Sequence, residues 1–506
     1  MSFMPNCKEV NSKIQKNLKV EGVIQSFNIN SNGTTINQVL SVDVHPKVEN
    51  VSTFNGGCEI NGITKVKILI INKENEYVVL EDSLSFSTKV QDPDISETSK
   101  VLASTKVTET RGLVASENNV TFSATLLVDA CLIKVQTFKY VEGIEDSACQ
   151  KKVDFCYSDI AASFNQNCEL VNEVNLPNSI SKILSVNGNC VLENCSAGDD
   201  MITASGKVFS TILFLTNEDE PKIKSQEYIL DFCEEMLASG VSAGNVINAK
   251  TILNDISFEV QGEMNSSKGV LTIKSELCVL GFAEKRITLN GVADAFCPTH
   301  DLVCESSNFV VQKSDVINLR EKIDGSLSLT DDVQMDKVLC VSGAYVTYSI
   351  TQNDNNGAEL IGVLHANVIY KLDDENGTIG AVVAELPFTK QIDDCKYNAM
   401  NSQISVSSIE ARSKRSKDID IQAELIIAIN YSQNETQSII SNVQIGDKLK
   451  SSFQPMGLYV VSGANELWDV AKELRINPDV VMSQNPNLKF PITEPTKVLV
   501  YRQFCL

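Results

Sequence analysis

A short block of sequence recurs three times along this 506-residue chain, and this repeat constrains the possible folds more than any other feature. The copies read EINGITKVKILII at 59–71, TASGKVFSTILFL at 203–215 and ELIGVLHANVIYK at 359–371. In each copy a glycine is followed by an apolar triplet that occupies the sixth, seventh and eighth positions after it. A phenylalanine comes 24 to 26 residues after the same glycine. The three glycine, triplet and phenylalanine groups are Gly62, Ile68-Leu69-Ile70 and Phe86; Gly206, Ile212-Leu213-Phe214 and Phe232; Gly362, Val368-Ile369-Tyr370 and Phe388.

The spacing of the repeat indicates tandem domains. The glycines are 144 and 156 residues apart, whereas solenoid repeats have units of about 20–45 residues. Between them run Val-, Ile- and Thr-rich segments with period-two alternation, broken by Asn, Asp and Gly turns, which is typical of antiparallel strands with one buried face. A single sheet would leave its apolar face in water, so we expect two packed sheets in each copy.

The predicted fold class is therefore mostly β, with three tandem antiparallel β-sandwich-like domains followed by a small βααβ domain. The expected boundaries are 17–150, 151–295 and 296–440 for the three β domains, 441–457 for a linker and 458–503 for the last domain. The glycine of each block is expected to mark a bulge or a tight bend. One stretch, SQEYILDFCEEMLASG at 225–240, is ambiguous between strand and helix.

Charge and cysteine content limit the partners and the environment. The formal net charge is −22, which disfavours nucleic acid and bare anionic membrane as partners. The N-terminal residues lack a basic segment followed by an apolar one, and the apolar runs are too short to span a bilayer, so we expect neither a secretory signal nor membrane insertion. Fifteen cysteines, an odd number, fit a reducing cytosol better than a disulfide framework.

The last 50 residues follow a different pattern, which predicts a strand, two short helices and a closing strand. Leu467, Val470, Ala471 and Leu474 form one apolar helical stripe, and Asn465 is the expected N-cap. Asn477 before Pro478 predicts the start of the second helix. Trp468, the only tryptophan, stands one position off the stripe, so we expect it to pack at the edge of the core.

This terminal segment resembles a LysM module. The matching positions are Val460-Val461, Leu467-Trp468, Val470-Ala471, Asn485 and Val498. The Gly-Asp-Thr turn of LysM modules is replaced by Ala464-Asn465-Glu466, and Thr496 stands where a glycine is expected; these departures favour a protein ligand over a glycan. The resemblance implies a binding groove between two loops, with the candidate residues Ala464, Asn465, Glu466, Trp468, Asn485, Pro486 and Thr496.

The whole chain resembles the SPOCS-domain proteins of endospore-forming Clostridia and related bacteria. The resemblance rests on SKILSVNG at the start of the second copy, the repeated block, LPF at 386–388 and the tail that follows Asn477, whereas the first copy is divergent and carries SLSFS. It implies a non-enzymatic scaffold on the mother-cell side of the forespore, in the spore coat, whose LysM-like module binds a coat-basement protein. The alternative is a protein that binds peptidoglycan of the cortex or cell wall through the same module.

A weaker alternative is a metal-dependent enzyme at CPTHDLVC, where Cys297, His300 and Cys304 stand close together in sequence. A closed zinc site needs four ligands, and no second Cys/His pair is near. No Gly-rich phosphate-binding motif and no nucleophile motif is present, and acidic pairs such as Asp373-Asp374 fall in expected turns. We therefore expect no catalytic residues, no metal and no cofactor. The one basic run, EARSKRSKD at 410–418, is expected to be a hairpin tip.

Overall fold

The computed structural model describes residues 4–18, 20–144, 148–175, 180–218, 222–261, 270–330, 333–352, 357–374, 378–393, 400–449, 456–461 and 466–501. The chain is mostly β, as the alternation predicts, and its strands pair in antiparallel sheets. Two short helices near the C-terminal end are the helices found in these ranges. Neither is long and apolar enough to cross a bilayer.

The first nineteen strands fall into three consecutive sets. The first set comprises β1 (Pro5–Leu18), β2 (Val23–Asn30), β3 (Ile36–Phe54), β4 (Gly57–Asn72), β5 (Tyr77–Gln91), β6 (Lys100–Ala115) and β7 (Asn119–Ile144). The second set comprises β8 (Cys149–Asn175), β9 (Ile180–Ala197), β10 (Met201–Thr216), β11 (Ile223–Leu237), β12 (Val246–Gln261) and β13 (Val270–Phe296). The third set comprises β14 (His300–Ser328), β15 (Met335–Gln352), β16 (Ala358–Leu372), β17 (Ile379–Ile392), β18 (Met400–Ser413) and β19 (Asp418–Lys448).

The three sets share one strand order. In each set the last strand pairs with the first strand on one edge and with the second-to-last strand on the other, giving β8-β13-β12 and β14-β19-β18. The three middle strands form a separate meander: β3-β4-β5, β9-β10-β11 and β15-β16-β17. In the first set the opening strand is divided, so that both β1 and β2 pair with β7. The copies of the repeated block all lie on the central strand of a meander.

The two sheets of each set pack face to face. In the third set Leu364 and Val368 of β16 share one buried cluster with Ile421 and Leu425 of β19. The first and second sets have corresponding clusters between β4 and β7 and between β10 and β13. Two-layer packing buries the apolar face of both sheets, as expected from the alternating pattern.

The repeated glycine makes room for the repeated phenylalanine. The two residues lie directly opposite each other on neighbouring strands, as Gly206 does with Phe232 and Gly362 with Phe388. A Cβ atom at Gly362 would lie 2.5 Å from Cζ of Phe388, because the ring covers the glycine. An aromatic ring over a strand glycine restores the apolar contact that the glycine lacks. The expected bulge is present beside Gly62 and Gly206, where the central strand shifts register against the first strand of the meander, but Gly362 has none. The close ring is the feature common to the three sets.

The three sets meet around a common axis. The central residues of the three apolar triplets, Leu69, Leu213 and Ile369, are buried in one cluster to which every set contributes. The same cluster holds one residue from the first strand of each meander: Leu40, Leu184 and Cys340. Equivalent positions of the three sets therefore form an apolar plug, and the sets pack as one body instead of hanging as separate beads.

Polar contacts also join each pair of neighbouring sets. Between the first and second sets, Lys65 Nζ donates to Asp255 Oδ2 at 2.5 Å. Between the third and second sets, Gln403 Nε2 donates to the Cys190 carbonyl at 2.8 Å. Between the third and first sets, Asn367 Nδ2 donates to the Leu40 carbonyl at 2.8 Å. Because all three pairs of sets are in contact, the arrangement closes on itself.

A second shared contact lies farther along the longest strands. The strands β7, β13 and β19 continue beyond their sandwiches and pair there with β1, β8 and β14. Phe138 stacks on Phe309 with ring centroids 4.3 Å apart and meets Tyr157 edge-on at 5.6 Å. These rings come from the first, third and second sets, so the sets are joined at two levels of the axis.

Several expectations about element bounds differ from the structure. The ambiguous stretch 225–240 is not helical, since β11 extends to Leu237 with Leu230 and Phe232 facing the core. β1 begins at Pro5, before the expected start at residue 17, and β19 continues to Lys448 into the expected linker 441–457. The basic run does lie at a hairpin tip, between β18 and β19. No disulfide joins the thirteen cysteines among the described residues.

Candidate functional site

The terminal module, as we call residues 456–501, consists of β20 (Met456–Val461), α1 (Leu467–Leu474), α2 (Pro478–Gln484) and β21 (Thr496–Tyr501). β20 and β21 pair antiparallel, with Met456 opposite Tyr501 and Val461 opposite Thr496. The strand, helix, helix and strand order agrees with the sequence pattern. On the helices, Val470, Ala471 and Leu474 of the predicted stripe are buried.

The helix starts follow local hydrogen bonding. The N-cap of α1 is Glu466, whose backbone N–H donates to the Asp469 carboxylate at 3.1 Å. The expected cap Asn465 lies outside the described residues. The second start is as predicted: the Asn477 side chain accepts from the Asp479 N–H at 2.8 Å, with Pro478 at the first helical position. Side-chain acceptors at these positions satisfy N–H groups that a helix start leaves unpaired.

The candidate groove residues have different environments. Ala464 and Asn465 lie outside the described residues, while Glu466 and Pro486 are exposed. Thr496 is half-buried, and its hydroxyl donates to the Glu494 carbonyl at 2.7 Å. Thr496 lies opposite Val461 on the paired strand. Pro486 follows Asn485, which is hydrogen-bonded to Leu499, three positions and about 10 Å from Thr496 along β21.

Asn485 links the end of α2 to β21. Its side-chain N–H groups donate to the carbonyls of Val481 at 2.9 Å and Leu499 at 2.7 Å, and its oxygen accepts from the Leu499 N–H at 2.8 Å. Every polar atom of this amide is used inside the module. Asn485 therefore has a structural role that accounts for its presence at this turn without a ligand.

Trp468 packs against the second set, in agreement with the packing role expected from its position beside the stripe. Its indole Nε1–H donates to Asp294 Oδ2 at 2.8 Å, and its ring lies 5.2 Å from that of Phe296. Lys472, one turn further along α1, donates to both oxygens of Asp294 at 2.7 Å. Burial opposes the ionisation of Asp294, but the hydrogen bonds from Lys472 and Trp468 outweigh it and hold its pKa below the ordinary value.

A second ion pair completes this attachment. Arg475, at the C-terminal end of α1, donates to Asp301 Oδ1 at 2.9 Å and to the Cys297 carbonyl. Trp468, Lys472 and Arg475 are spaced by four and three residues, which places them on one face of the helix. Asp294 lies at the end of the second set and Asp301 at the start of the third, so we call this contact between α1 and the junction of these two sets the docking contact. Sequence reasoning missed Asp294 and Asp301, because their partners lie more than 170 residues away.

The residues of the metal-site alternative are not brought together. The His300 ring Nδ1 is 3.0 Å from the hydroxyl of its neighbour Thr299, and Cys304 is exposed on β14. Burial alone would raise the pKa of the Cys297 thiol, but hydrogen bonds from Thr299 and His300 hold it below the ordinary value. Within the described ranges no three His, Cys, Asp or Glu side chains are placed to hold a metal ion.

One face of the two-stranded sheet of the module is apolar and open. Met456, Leu458 and Val460 are 59%, 60% and 64% exposed on the outer face of β20. Their partners on β21 include Leu499 and Tyr501, and the latter is 53% exposed. We call this surface the outer face of the module. Contiguous exposed apolar side chains commonly mark a site of protein contact.

Together these features describe a mostly β protein of three like sets packed around an axis, with a small module attached at one corner. Residues 179–261, which include β9–β12, match the family model described as SipL, SPOCS domain, so the chain contains a SPOCS domain in its second set. The match indicates a role connected with sporulation and the spore coat. No curated protein matches the chain, and no solved structure matches it either.

Proposed function

We propose that this protein is a non-enzymatic scaffold in spore-coat assembly, built of three SPOCS-like domains and a LysM-like module that binds a coat-basement protein. The family match covers β9–β12 of the second set. The corresponding strands β3–β6 and β15–β18 have the same order, which supports reading each set as one copy of the domain. On this reading the protein acts on the mother-cell side of the forespore.

The observation that carries the proposal is the orientation of the module. The docking contact uses Trp468, Lys472 and Arg475, which fixes one side of the module to the junction of the second and third sets. The outer face, with Leu458 and Val460, remains open on another side. A rigidly held module with an open apolar sheet face suits a partner protein that buries this face.

The basic test is to remove the module. In a spore-forming bacterium that makes this protein, a fluorescent fusion lacking residues 450–506 should fail to gather at the forespore. The truncated protein should keep its β-type circular dichroism spectrum, because the three sets have their own buried cores. Normal localisation of a folded truncated protein would contradict the proposed role of the module.

A point variant tests the outer face directly. Leu458→Asp places a carboxylate in the apolar patch and should abolish recruitment without unfolding the module, since Leu458 is 60% exposed. The matched control is Leu237→Asp, at a leucine that is 90% exposed on β11 of the second set. If Leu458→Asp is recruited as well as Leu237→Asp, the partner does not use the outer face.

The same proteins distinguish a protein ligand from a glycan ligand. Retention on insoluble peptidoglycan should be weak, because Asn485 is fully hydrogen-bonded and Trp468 is packed against Phe296. Strong retention that is lost on removing residues 450–506 would support the peptidoglycan-binding alternative in place of the coat-protein one.

A further inference from the structure

A cavity of about 690 Å³ lies where the three sets meet. Its wall is formed by β3 and β6 of the first set, β9–β12 of the second and β15–β18 of the third. The apolar plug borders the cavity, because Leu40 of the plug is also one of its lining residues. This volume is within the range of about 300–1,000 Å³ typical of small-molecule sites.

The floor of the cavity is made by equivalent positions of the three sets, three residues beyond the plug. These positions are occupied by Asp43, Asn187 and Gly343. A Cβ atom at Gly343 would lie 3.3 Å from Asp43 Oδ1 and 3.6 Å from Asn187 Nδ2, so the three positions do converge. A side chain at the third position would crowd the carboxylate, so the glycine keeps Asp43 clear of a side chain from the third set.

The floor has hydrogen-bond acceptors that lack partners. Asn187 directs its N–H groups to the Ser342 carbonyl and to Asp43, while its own Oδ1 is buried without a partner. His45, two residues after Asp43 on the same strand, has a buried Nε2 that is likewise unpaired. Burial lowers the pKa of His45 to about 4, so the ring is neutral and one of its nitrogens is an acceptor. Both atoms are enclosed by protein, so the polar group that this part of the wall offers to a ligand is the partly accessible Asp43 carboxylate.

The wall has as many basic as acidic side chains, namely Lys106, Arg111 and Lys250 against Asp43, Asp129 and Glu227. The basic ones have partners, and Arg111 pairs with Glu109. Lys250 lies 3.8 Å from Asp129, the Lys106 ammonium lies 3.8 Å from the ring centroid of Tyr348, and both are thereby occupied. Among the described residues, no lysine or arginine lies within ion-pair distance of Asp43, which is held only by the Asn187 amide. Burying an unpaired carboxylate is unfavourable unless a cation joins it.

We propose that this cavity binds a small aliphatic amine or guanidine, whose cationic group lies against the Asp43 carboxylate. The site is independent of the spore-coat role, so either proposal can fail without the other. It exists only because the three sets differ at one equivalent position. Of the carboxylate, the amide and the glycine at that position, the carboxylate is the acceptor, and the glycine keeps it clear of a side chain from the third set.

Binding should depend on pH through Asp43. Burial raises the pKa of this carboxyl group to about 7, against the opposing effects of Asn187 and of Lys67 on the neighbouring strand. The other charged groups that face this region are Lys65 and Asp255, which pair with each other. An amine binds the ionised carboxylate, so affinity should be about tenfold higher at pH 8 than at pH 6, while aliphatic amines stay protonated at both.

The test uses the full chain and isothermal titration calorimetry with putrescine, spermidine and agmatine. The neutral isostere 1,4-butanediol serves as the control ligand. We expect one saturable site per chain for at least one amine and none for the diol. Asp43→Asn should weaken binding at least tenfold and remove its pH dependence, while Asp231→Asn, at an exposed aspartate of β11, should change neither.

Each other result would overturn the proposal. If no amine gives saturable binding up to about 10 mM, a level at which even weak sites fill, the cavity is not a cation site. Binding of the diol as tight as that of putrescine would exclude recognition of charge. If Asp43→Asn melts at a lower temperature, the amine affinity of the unaltered protein at pH 6 and pH 8 remains a test of the role of Asp43. An affinity that does not rise from pH 6 to pH 8 contradicts that role.

Discussion

At the scale of single residues, the glycine and phenylalanine of each repeated block work as one unit. The ring of Phe388 lies over Gly362 so closely that any side chain there must displace it, and the Thr347 carbonyl lies on another side at 3.1 Å from the position of a Cβ atom. Glycine in a strand usually weakens the strand. Here the aromatic ring fills the space and makes the glycine necessary.

Gly362→Ala should therefore destabilise the third set. Overpacking of this kind costs about 1–3 kcal/mol, which should appear as a lower midpoint in thermal or chemical unfolding. Shortening the ring in the double variant Gly362→Ala/Phe388→Leu should recover part of the loss, because the clash is with the ring. The control is Gly198→Ala, where the nearest atom to a new Cβ is 3.7 Å away and no loss is expected. Equal midpoints for Gly362→Ala and Gly198→Ala would show that the ring can move without penalty.

The same residue scale shows what sequence alone could reach. The spacing of 24 to 26 residues between glycine and phenylalanine is visible in the sequence, but the reason for it requires knowing that the two lie opposite each other across a turn. Asn485 stood out as a candidate binding residue, yet its three hydrogen bonds are internal. In a sequence, an asparagine that binds a ligand cannot be distinguished from one that holds a turn, because the hydrogen-bond partners of the side chain are not known.

At the scale of elements, the docking contact joins α1 to the end of β13. The Asp294 carboxylate accepts from the Trp468 indole and from the Lys472 ammonium, so one side chain holds two groups of the helix. Since Trp468 is the only tryptophan of the chain, its fluorescence reports this contact alone.

Asp294→Ala should release the module from the second set. We expect a red shift of the tryptophan emission and stronger quenching by acrylamide, because the indole loses its partner and gains water. The control is Asp154→Ala, at an exposed aspartate on the neighbouring strand β8, which should leave the emission unchanged. An unaltered spectrum in Asp294→Ala would mean that Phe296 holds the module without the carboxylate.

The pH dependence of this contact has a definite sign. The folded-state pKa of Asp294 lies below its ordinary value of 3.8, so the contact contributes stability above that value and loses it as the pH falls through the folded-state pKa. The red shift should therefore appear in strongly acidic solution in the unaltered protein and should be absent near neutral pH. The same measurement in Asp294→Ala should show no such transition.

Element types were largely predictable, whereas lengths and contacts were not. The period-two pattern identified strands such as the one containing TFSATLLVDA, which lies within β7. Strands of 26 to 31 residues were not foreseen, because half of each pairs within a sandwich and half packs against other sets. The polar run in β11 obscures its alternation, and its strand character is revealed by the buried side chains of Leu230, Phe232 and Met236.

At the scale of the whole molecule, the three sets depend on one another through the plug. Leu213 is 1% exposed and shares its cluster with Leu69 and Ile369 of the other two sets. Its loss should therefore weaken all three sets together. Sequence comparison predicted the copies, but it could not show that the middle residues of their triplets meet.

Leu213→Ala should lower stability by about 2–5 kcal/mol, as is usual for truncation of a fully buried leucine. The three sets should still unfold in a single transition, shifted to lower denaturant concentration. The control Leu237→Ala, at a leucine that is 90% exposed, should unfold like the unaltered protein. Separate transitions in Leu213→Ala, with one set unfolding before the others, would show that the plug does not couple them.

Because the three sets belong to one polypeptide, their packing does not depend on how much of the protein a cell contains. Three separate chains that met around such an axis would come apart on dilution, because their association depends on concentration. Here β7 leads into β8 and β13 into β14 within one polypeptide. The central body therefore keeps its form however few molecules a cell makes, and its lifetime is set by unfolding instead of by dissociation.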